Sequence, residues 1–180
     1  MSIDVDGRDT GSCAVTIADS ITIRPATDTD RAAILAILEP IVRAGDTYAL
    51  PGDWSGDAIL AYWMAPTHRV LVAEAGGIVL GTCYIRANQL GGGVHVANAG
   101  YATHPEAAGR GIARALAERS FVVAREAGFT AMQFNFVVAS NTRAIALWRS
   151  LGFEEVGRLP QAFRHPGLGL VDALVMHRRL

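Results

Sequence analysis

Lysine is absent from this 180-residue chain: all 16 basic residues are arginine, set against 17 acidic ones for a net charge of −1. Without lysine there is no Schiff-base catalyst, no pyridoxal anchor and no Walker-type phosphate loop, whose lysine reaches the β- and γ-phosphates. Charge of either sign is sparse, 18% of residues against 51% hydrophobic. That balance excludes a broad nucleic-acid or anionic-membrane surface, where affinity comes largely from neutralising phosphates. The two cysteines, Cys13 in the polar N-terminal stretch and Cys83 in an apolar strand pattern, read as reduced thiols rather than a disulfide or metal pair. Five histidines, at 68, 95, 104, 165 and 177, share no ligand spacing, so no metal is expected. No apolar run approaches the roughly 18 residues of a membrane helix. The start, MSIDVDGRDTG, has neither the basic nor the apolar region of a signal peptide, so a cytoplasmic protein is expected.

What is present fits one domain with a sizeable core. Residues 1–20 read as a flexible leader and 21–180 as the domain. Ile21-Thr-Ile-Arg24 alternates as a strand. Asp28 or Asp30 then caps a helix whose apolar positions Ile34, Leu38, Ile41 and Val42 fall at helical spacing, with Pro40 inside it as a kink or a break. A short helix follows over about 56–64. Strands over 70–75 and 78–86 are joined by Gly76-Gly77, a hairpin signal. Gly91-Gly92-Gly93 turns the chain into a strand over 94–103. A helix from about Gly111 stops at Gly128, a strand covers 131–138, and a helix from Thr142 stops at Gly152. Strands over 153–159 and 170–177 close the chain. This order predicts one mixed α/β sheet with helices on both faces.

The chemistry concentrates in Tyr101-Ala-Thr-His-Pro-Glu-Ala-Ala-Gly109-Arg110-Gly111-Ile112-Ala113. A strand runs out, proline stops it, and two glycines deliver the backbone to a helix N-terminus. There, amide N–H groups and the helix dipole favour an anion, and Arg110 adds a full positive charge. The segment suits a pyrophosphate, but it is no dinucleotide fingerprint: the third glycine of G-x-G-x-x-G would fall on Arg114. A plain tight turn is the alternative reading.

A second segment, Asn141-Thr-Arg-Ala-Ile-Ala-Leu-Trp148-Arg-Ser-Leu-Gly-Phe153, follows about 30 residues later. In this order the two motifs resemble the GNAT superfamily of acetyl-CoA-dependent N-acetyltransferases, over roughly residues 21–180. The resemblance implies a mostly antiparallel sheet of six or seven strands, splayed in the middle. It implies a bulged strand whose backbone at Tyr101, Ala102 and Thr103 pairs with the pantetheine arm of acetyl-CoA, and a pyrophosphate on the amides of residues 109–113. Two places depart from the usual pattern. Ala108 stands where an arginine or glutamine is common, and Trp148 where many members carry a tyrosine beside the CoA sulfur. Indole N–H donates a hydrogen bond but is no general acid near neutral pH.

A narrower resemblance rests on His95-Val-Ala-Asn98-Ala-Gly-Tyr101, Phe134-Asn135-Phe136-Val137 and Asn141. These stretches are similar to the yeast-type acetyltransferases that detoxify proline analogues such as azetidine-2-carboxylate. By position, Asn98 would bind the substrate carboxylate, Asn135 would act at the reacting amine and acetyl group, and Asn141 would face the acetyl oxygen or the pantetheine. Asn98 and Asn135 are mid-strand, where asparagine is depleted and a buried amide needs a partner. Asn141 is equally a competent N-cap. Trp148, spaced with Ala144 and Leu151, reads as core. His104, His165 and Asp172 read as loop or surface, and Tyr101 as structural with proton transfer as the alternative. The expectation is transfer of an acetyl group to a small-molecule amine by direct attack in a ternary complex. Other acceptors, namely an amino acid, a polyamine, a drug or a protein N-terminus, and a non-catalytic acyl-CoA sensor are the alternatives. A homodimer is a family-level expectation.

Overall fold

The computed structural model describes residues 21–180; the leader and Cys13 lie outside the described residues. The chain runs β1 (Thr22–Pro25), α1 (Arg31–Ala44), α2 (Gly56–Trp63), β2 (Arg69–Ala75), β3 (Ile78–Ala87), β4 (Val96–Thr103), α3 (Ile112–Glu126), β5 (Ala131–Val138), α4 (Thr142–Ser150), β6 (Glu154–His165) and β7 (Gly169–Arg179). Seven strands form one sheet in the order β1-β2-β3-β4-β5-β7-β6, antiparallel throughout except where β4 meets β5. No helix is long and apolar enough to cross a membrane among the described residues.

Strand alternation assigns the two cores. Leu71, Ala73, Cys83 and Ile85 point to one face and pack under α3 and α4 with Leu116, Phe121 and Trp148. Val72, Tyr84 and Ala102, offset by one residue, point to the other and pack under α1 and α2 with Ile34, Leu38 and Trp63. Trp63 is fixed in place because its indole N–H donates to Thr82 Oγ1 at 3.1 Å, and that hydroxyl donates to the Leu71 carbonyl at 3.0 Å.

Four expectations change. Pro40 does not divide or end α1, which runs continuously from Arg31 to Ala44. Neither Asp28 nor Asp30 caps α1 through its side chain. Asp30 instead accepts from the Thr27 amide at 2.7 Å and from Arg24, closing a capping box around the single turn 28–30. The strand expected over 94–103 begins at Val96, because Gly91–Gly93 form a helical turn of their own. The strand expected to stop at Leu159 continues to His165: Pro160 and Gln161, the latter at φ 50°, are absorbed in an irregularity between Leu159 and Phe163. This strand is at the edge of the sheet, where a missing proline N–H costs no ladder bond.

The feature that positions the site is the seam between β4 and β5. Their parallel register holds for two pairs only, Val96 with Ala131 and Ala97 with Met132. Beyond these, Asn98 reaches across and donates its amide to the Gln133 carbonyl at 2.9 Å, and then the strands part. The bulge implied for the strand near Tyr101 is not in β4, which pairs with β3 in unbroken register from Gly81–Thr103 to Ala87–Ala97. It lies in β5, where the register to β7 shifts between Phe134 and Val137.

Candidate active site

Where β4 and β5 separate, a gap of about 90 Å³ opens between Ala99-Gly100-Tyr101 on one side and Phe134, Phe136, Val137 and Val138 on the other. Trp148 and Asn141 lie at one end of this gap and Thr47 and Tyr48, from the loop between α1 and α2, at the other. Gly100 is required by close approach: a Cβ there would sit 2.5 Å from Cε1 of Tyr84. Tyr101 is in register with Cys83, yet its backbone N–H and C=O both bond to the Tyr48 hydroxyl, at 2.9 and 2.7 Å. Its backbone therefore faces the gap. By alternation, Thr103 does so too, whereas Ala102 turns its backbone to β3 and its buried methyl to the α1–α2 core. The Tyr101 phenol points elsewhere, bonded to Ser120 Oγ at 2.7 Å in the core beneath α3, where burial raises its pKa far above the usual value.

On the α3 side the gap runs into a groove of about 380 Å³ lined by Thr103, Ala108, Gly109, Gly111, Ile112 and Ala113, with Asn141, Arg143 and Leu147 opposite. Gly109 and Gly111 hold φ of 82° and 80°, a left-handed backbone that only glycine adopts readily. No side chain caps α3. Its first bond runs from the Ala115 N–H to the Gly111 carbonyl, so the amides of Ile112, Ala113 and Arg114 have no protein acceptor among the described residues. Free amides at a helix N-terminus, under a groove, suit a diphosphate. Arg110 is exposed and does not line the groove. The cations that do are Arg114, whose Nη2 donates to Ser150 Oγ across the groove at 2.7 Å, and Arg143. Asn141 caps α4, its Oδ1 accepting from the Ala144 N–H at 3.1 Å, and it borders both the groove and the gap. The capping role is thus observed, and its position leaves the residue beside both spaces.

On the opposite side the gap meets a cavity of about 180 Å³ that holds Asn98, Asn135, Arg86, Tyr62 and Tyr84. The β5 bulge explains why Phe134, Asn135 and Phe136 all border it, although strict alternation would send Asn135 to the face opposite the two phenylalanines. Asn135 is held at both ends of its amide, its Oδ1 accepting from Gln133 Nε2 at 2.8 Å and its Nδ2 donating to Asn88 Oδ1 at 2.6 Å, which leaves one N–H and one oxygen lone pair for a ligand. Arg86 is the one charged side chain in this lining, and no carboxylate pairs with it among the described residues. Nearby, His68 stacks on Tyr84 at 4.5 Å, and burial holds its pKa below the ordinary histidine value.

Four contributors escaped the sequence reading: Tyr48, Arg86, Asn88 and Gln133. Arg86 carried a usable signal, a lone charge closing the apolar strand run Val79–Ile85; Tyr48, in a loop, carried none. The remaining candidates lie away from the gap. His104 accepts from the Glu106 amide at 3.3 Å, His165 accepts from two amides of the β6–β7 turn, and Asp172 pairs with Arg158 at 3.1 Å. Trp148 packs against Tyr101 and Phe134, each at 4.9 Å, as a core residue that also walls the gap.

A divided sheet, with free helix amides under a groove on one side of the gap and an amide-rich cavity on the other, suits an acyltransferase. The chain belongs to the acetyltransferase (GNAT) family, whose model matches residues 36–153. It is 37% identical over 98 residues to the N-acetyltransferase aca1 of Schizosaccharomyces pombe, a match covering 54% of this chain and 47% of that protein. The chain thus spans about half the length of this curated relative. Among solved structures it resembles a GCN5-related N-acetyltransferase from Kribbella flavida, with a TM-score of 0.85 and 42% identity over 89% of this chain and 98% of the other. The structure of yncA from Salmonella typhimurium with its cofactor acetyl-CoA aligns with a TM-score of 0.79 and 28% identity, covering 89% and 94%.

Proposed function

We propose that this protein transfers an acetyl group from acetyl-CoA to the amine of a small molecule of the proline-analogue type, such as azetidine-2-carboxylate, as a cytoplasmic detoxifying enzyme. The observation that carries the acceptor class is the 180 Å³ cavity whose lining has one charge, Arg86, and no acid. A polyamine or a basic peptide would place its second cation against an unpaired guanidinium there, a repulsive arrangement in a partly dry cavity. An acceptor with a carboxylate gains a charge-assisted bond instead.

Acetyl-CoA, when bound, supplies the activated acetyl carbonyl. The groove would hold its diphosphate on the amides of residues 112–114, with Arg114 and Arg143 beside it, and the Thr103 backbone would face its pantetheine arm. Asn98 and Arg86 hold the acceptor carboxylate. Asn135, fixed by Asn88 and Gln133, orients the amine toward the gap, an entropic contribution to rate. No aspartate, glutamate or histidine lines the gap or the acceptor cavity, so the amine proton leaves through water. A homodimer belongs to the same proposal: β6 is an edge strand with Val156 and Leu159 exposed, where a second copy would add, and light scattering checks it.

The deciding experiment is free-thiol release from acetyl-CoA with azetidine-2-carboxylate, proline analogues, common amino acids and polyamines. Turnover confined to amines bearing a carboxylate is expected. Preference for polyamines would refute the acceptor class, and binding of acetyl-CoA without release in any reaction would point to an acyl-CoA sensor.

A further inference from the structure

Tyr48 occupies a position that the reaction described above does not yet use. Its hydroxyl sits in the gap, 2.9 Å from the Tyr101 amide nitrogen and 2.7 Å from the Tyr101 carbonyl oxygen. These two backbone groups would otherwise be unpaired, because β5 has already diverged from β4. The hydroxyl therefore marks where the Tyr101 N–H is aimed, and any other oxygen that takes that N–H must come within reach of the same phenol. Tyr48 also borders both the gap and the acceptor cavity, so it stands where the two substrates would meet.

We propose that Tyr48 is a catalytic residue whose phenolic O–H, beside the Tyr101 N–H, donates to the thioester carbonyl oxygen and to the negative charge that develops on it during transfer. This rests on the acetyltransferase reading of the gap. In the free protein the phenol donates to the Tyr101 carbonyl; with the thioester oxygen on the Tyr101 N–H, it turns that proton onto the newcomer. Tyr48 keeps its proton throughout. It donates a hydrogen bond while the nitrogen–carbon bond forms, and releases it as the carbon–sulfur electron pair leaves with the thiolate. Such donors act through position, provided they are held still. The Tyr48 ring is held edge-on against Trp63, at 5.9 Å and 82°, and Trp63 is anchored through Thr82 to β2. Burial, the main cause, together with the neighbouring Tyr84, lifts the Tyr48 pKa well above that of an ordinary phenol, which keeps the donor protonated across the working range. Of the other hydroxyl groups near Tyr101, its own is committed to Ser120 in the core.

The test is Tyr48→Phe, read two ways. The infrared carbonyl stretch of bound [1-13C]acetyl-CoA is expected at lower frequency in the wild type than in solution, and part of that shift should vanish in the variant. Turnover with the best acceptor should fall about 10²–10³-fold in kcat, with little change in acetyl-CoA affinity by calorimetry. Replacing Tyr48 with 3,5-difluorotyrosine keeps the ring and strengthens the donor, so the stretch should move further down; this variant serves if the phenylalanine protein fails to fold. An identical stretch in all folded variants, or a kcat for Tyr48→Phe within threefold of wild type, overturns the role of Tyr48 alone. A wild-type protein that fails to bind acetyl-CoA overturns this inference together with the reading beneath it. Because the infrared comparison needs only bound acetyl-CoA, it does not depend on having found the right acceptor.

Discussion

Asn135 on β5, which lines the acceptor cavity, and Asn88 just past the end of β3 are joined by an amide–carbonyl bond of 2.6 Å. The contact crosses the sheet from one side of the gap to the other, so the amide of Asn135 is located by residues on both. Asn135→Ala removes it and leaves Asn88 and Gln133 without their partner. Turnover should drop about 10²–10³-fold, as for loss of one oriented polar group. Acetyl-CoA affinity by calorimetry should stay unchanged, since the groove lies on the far side of the gap. A variant with kcat near wild type would take Asn135 out of the mechanism.

Gly111→Glu tests the groove. The position has room for a Cβ, but its φ of 80° costs a non-glycine residue about 1–2 kcal/mol, and the new carboxylate faces the free amides of α3. The variant should fold with a modestly lower melting temperature and lose the stabilisation that CoA gives the wild type. Undiminished stabilisation by CoA in a thermal shift experiment would remove the groove from the nucleotide site.

Arg86→Gln keeps a polar but shorter side chain and deletes the charge. A hydrogen bond to a charged group contributes about 1.5–3 kcal/mol, so KM for a carboxylate-bearing acceptor should rise about 10- to 100-fold at nearly constant kcat. The affinity for a neutral amide analogue of the same acceptor, measured by calorimetry, should show no change. Equal effects on both would mean that Arg86 shapes the cavity instead of binding the acid.

The Arg24–Asp30 pair makes a pH prediction remote from the site. Arg24 donates to both oxygens of Asp30 at 2.8 Å, and this bond, followed by the Thr27 amide, holds the buried carboxyl well below the usual carboxylate range. A carboxyl depressed in the folded state binds fewer protons than it does unfolded. Its contribution is complete above the unfolded value near pH 4 and is lost as the pH falls further. Asp30→Asn should lower stability at pH 7 by about 2 kcal/mol, less than the roughly 3–5 kcal/mol of a fully buried pair because Arg24 is partly exposed and keeps Glu74. It should also flatten the decline of melting temperature below pH 4. Parallel curves for the two proteins would refute the assignment.

These residues show how far the chain could be read in advance. Gly76-Gly77, the helix stops at Gly128 and Gly152, and the glycine loop at 109–111 act through their own backbone and their neighbours, so they were legible one segment at a time. The family resemblance carried the splayed sheet. The sequence offered no sign that β7 inserts between β5 and β6, because strand order is decided by contacts across more than 30 residues. The bulge in β5 likewise depends on its fit to β7, and it is this bulge that turns Asn135 and Phe136 toward one cavity. Tyr48 was out of reach for the same reason: its partner in Tyr101 lies 53 positions away, and nothing in Gly45-Asp-Thr-Tyr-Ala-Leu50 distinguishes it from a loop residue packing on a helix.

The seam of two residue pairs between β4 and β5 has a consequence for how the molecule breathes. On one side lie β1 to β4 and on the other β5, β7 and β6, each side a closely laddered meander or hairpin. So thin a junction sets the scale of the smallest cooperative opening: the two halves can exchange their seam amides with solvent while each half keeps its own ladder intact. A bound molecule lying along that line, bonded to both halves, would act as a missing stitch. Ligand-induced slowing of hydrogen exchange should then be concentrated at Asn98–Tyr101 and Gln133–Val137, and the outer strands should exchange as before.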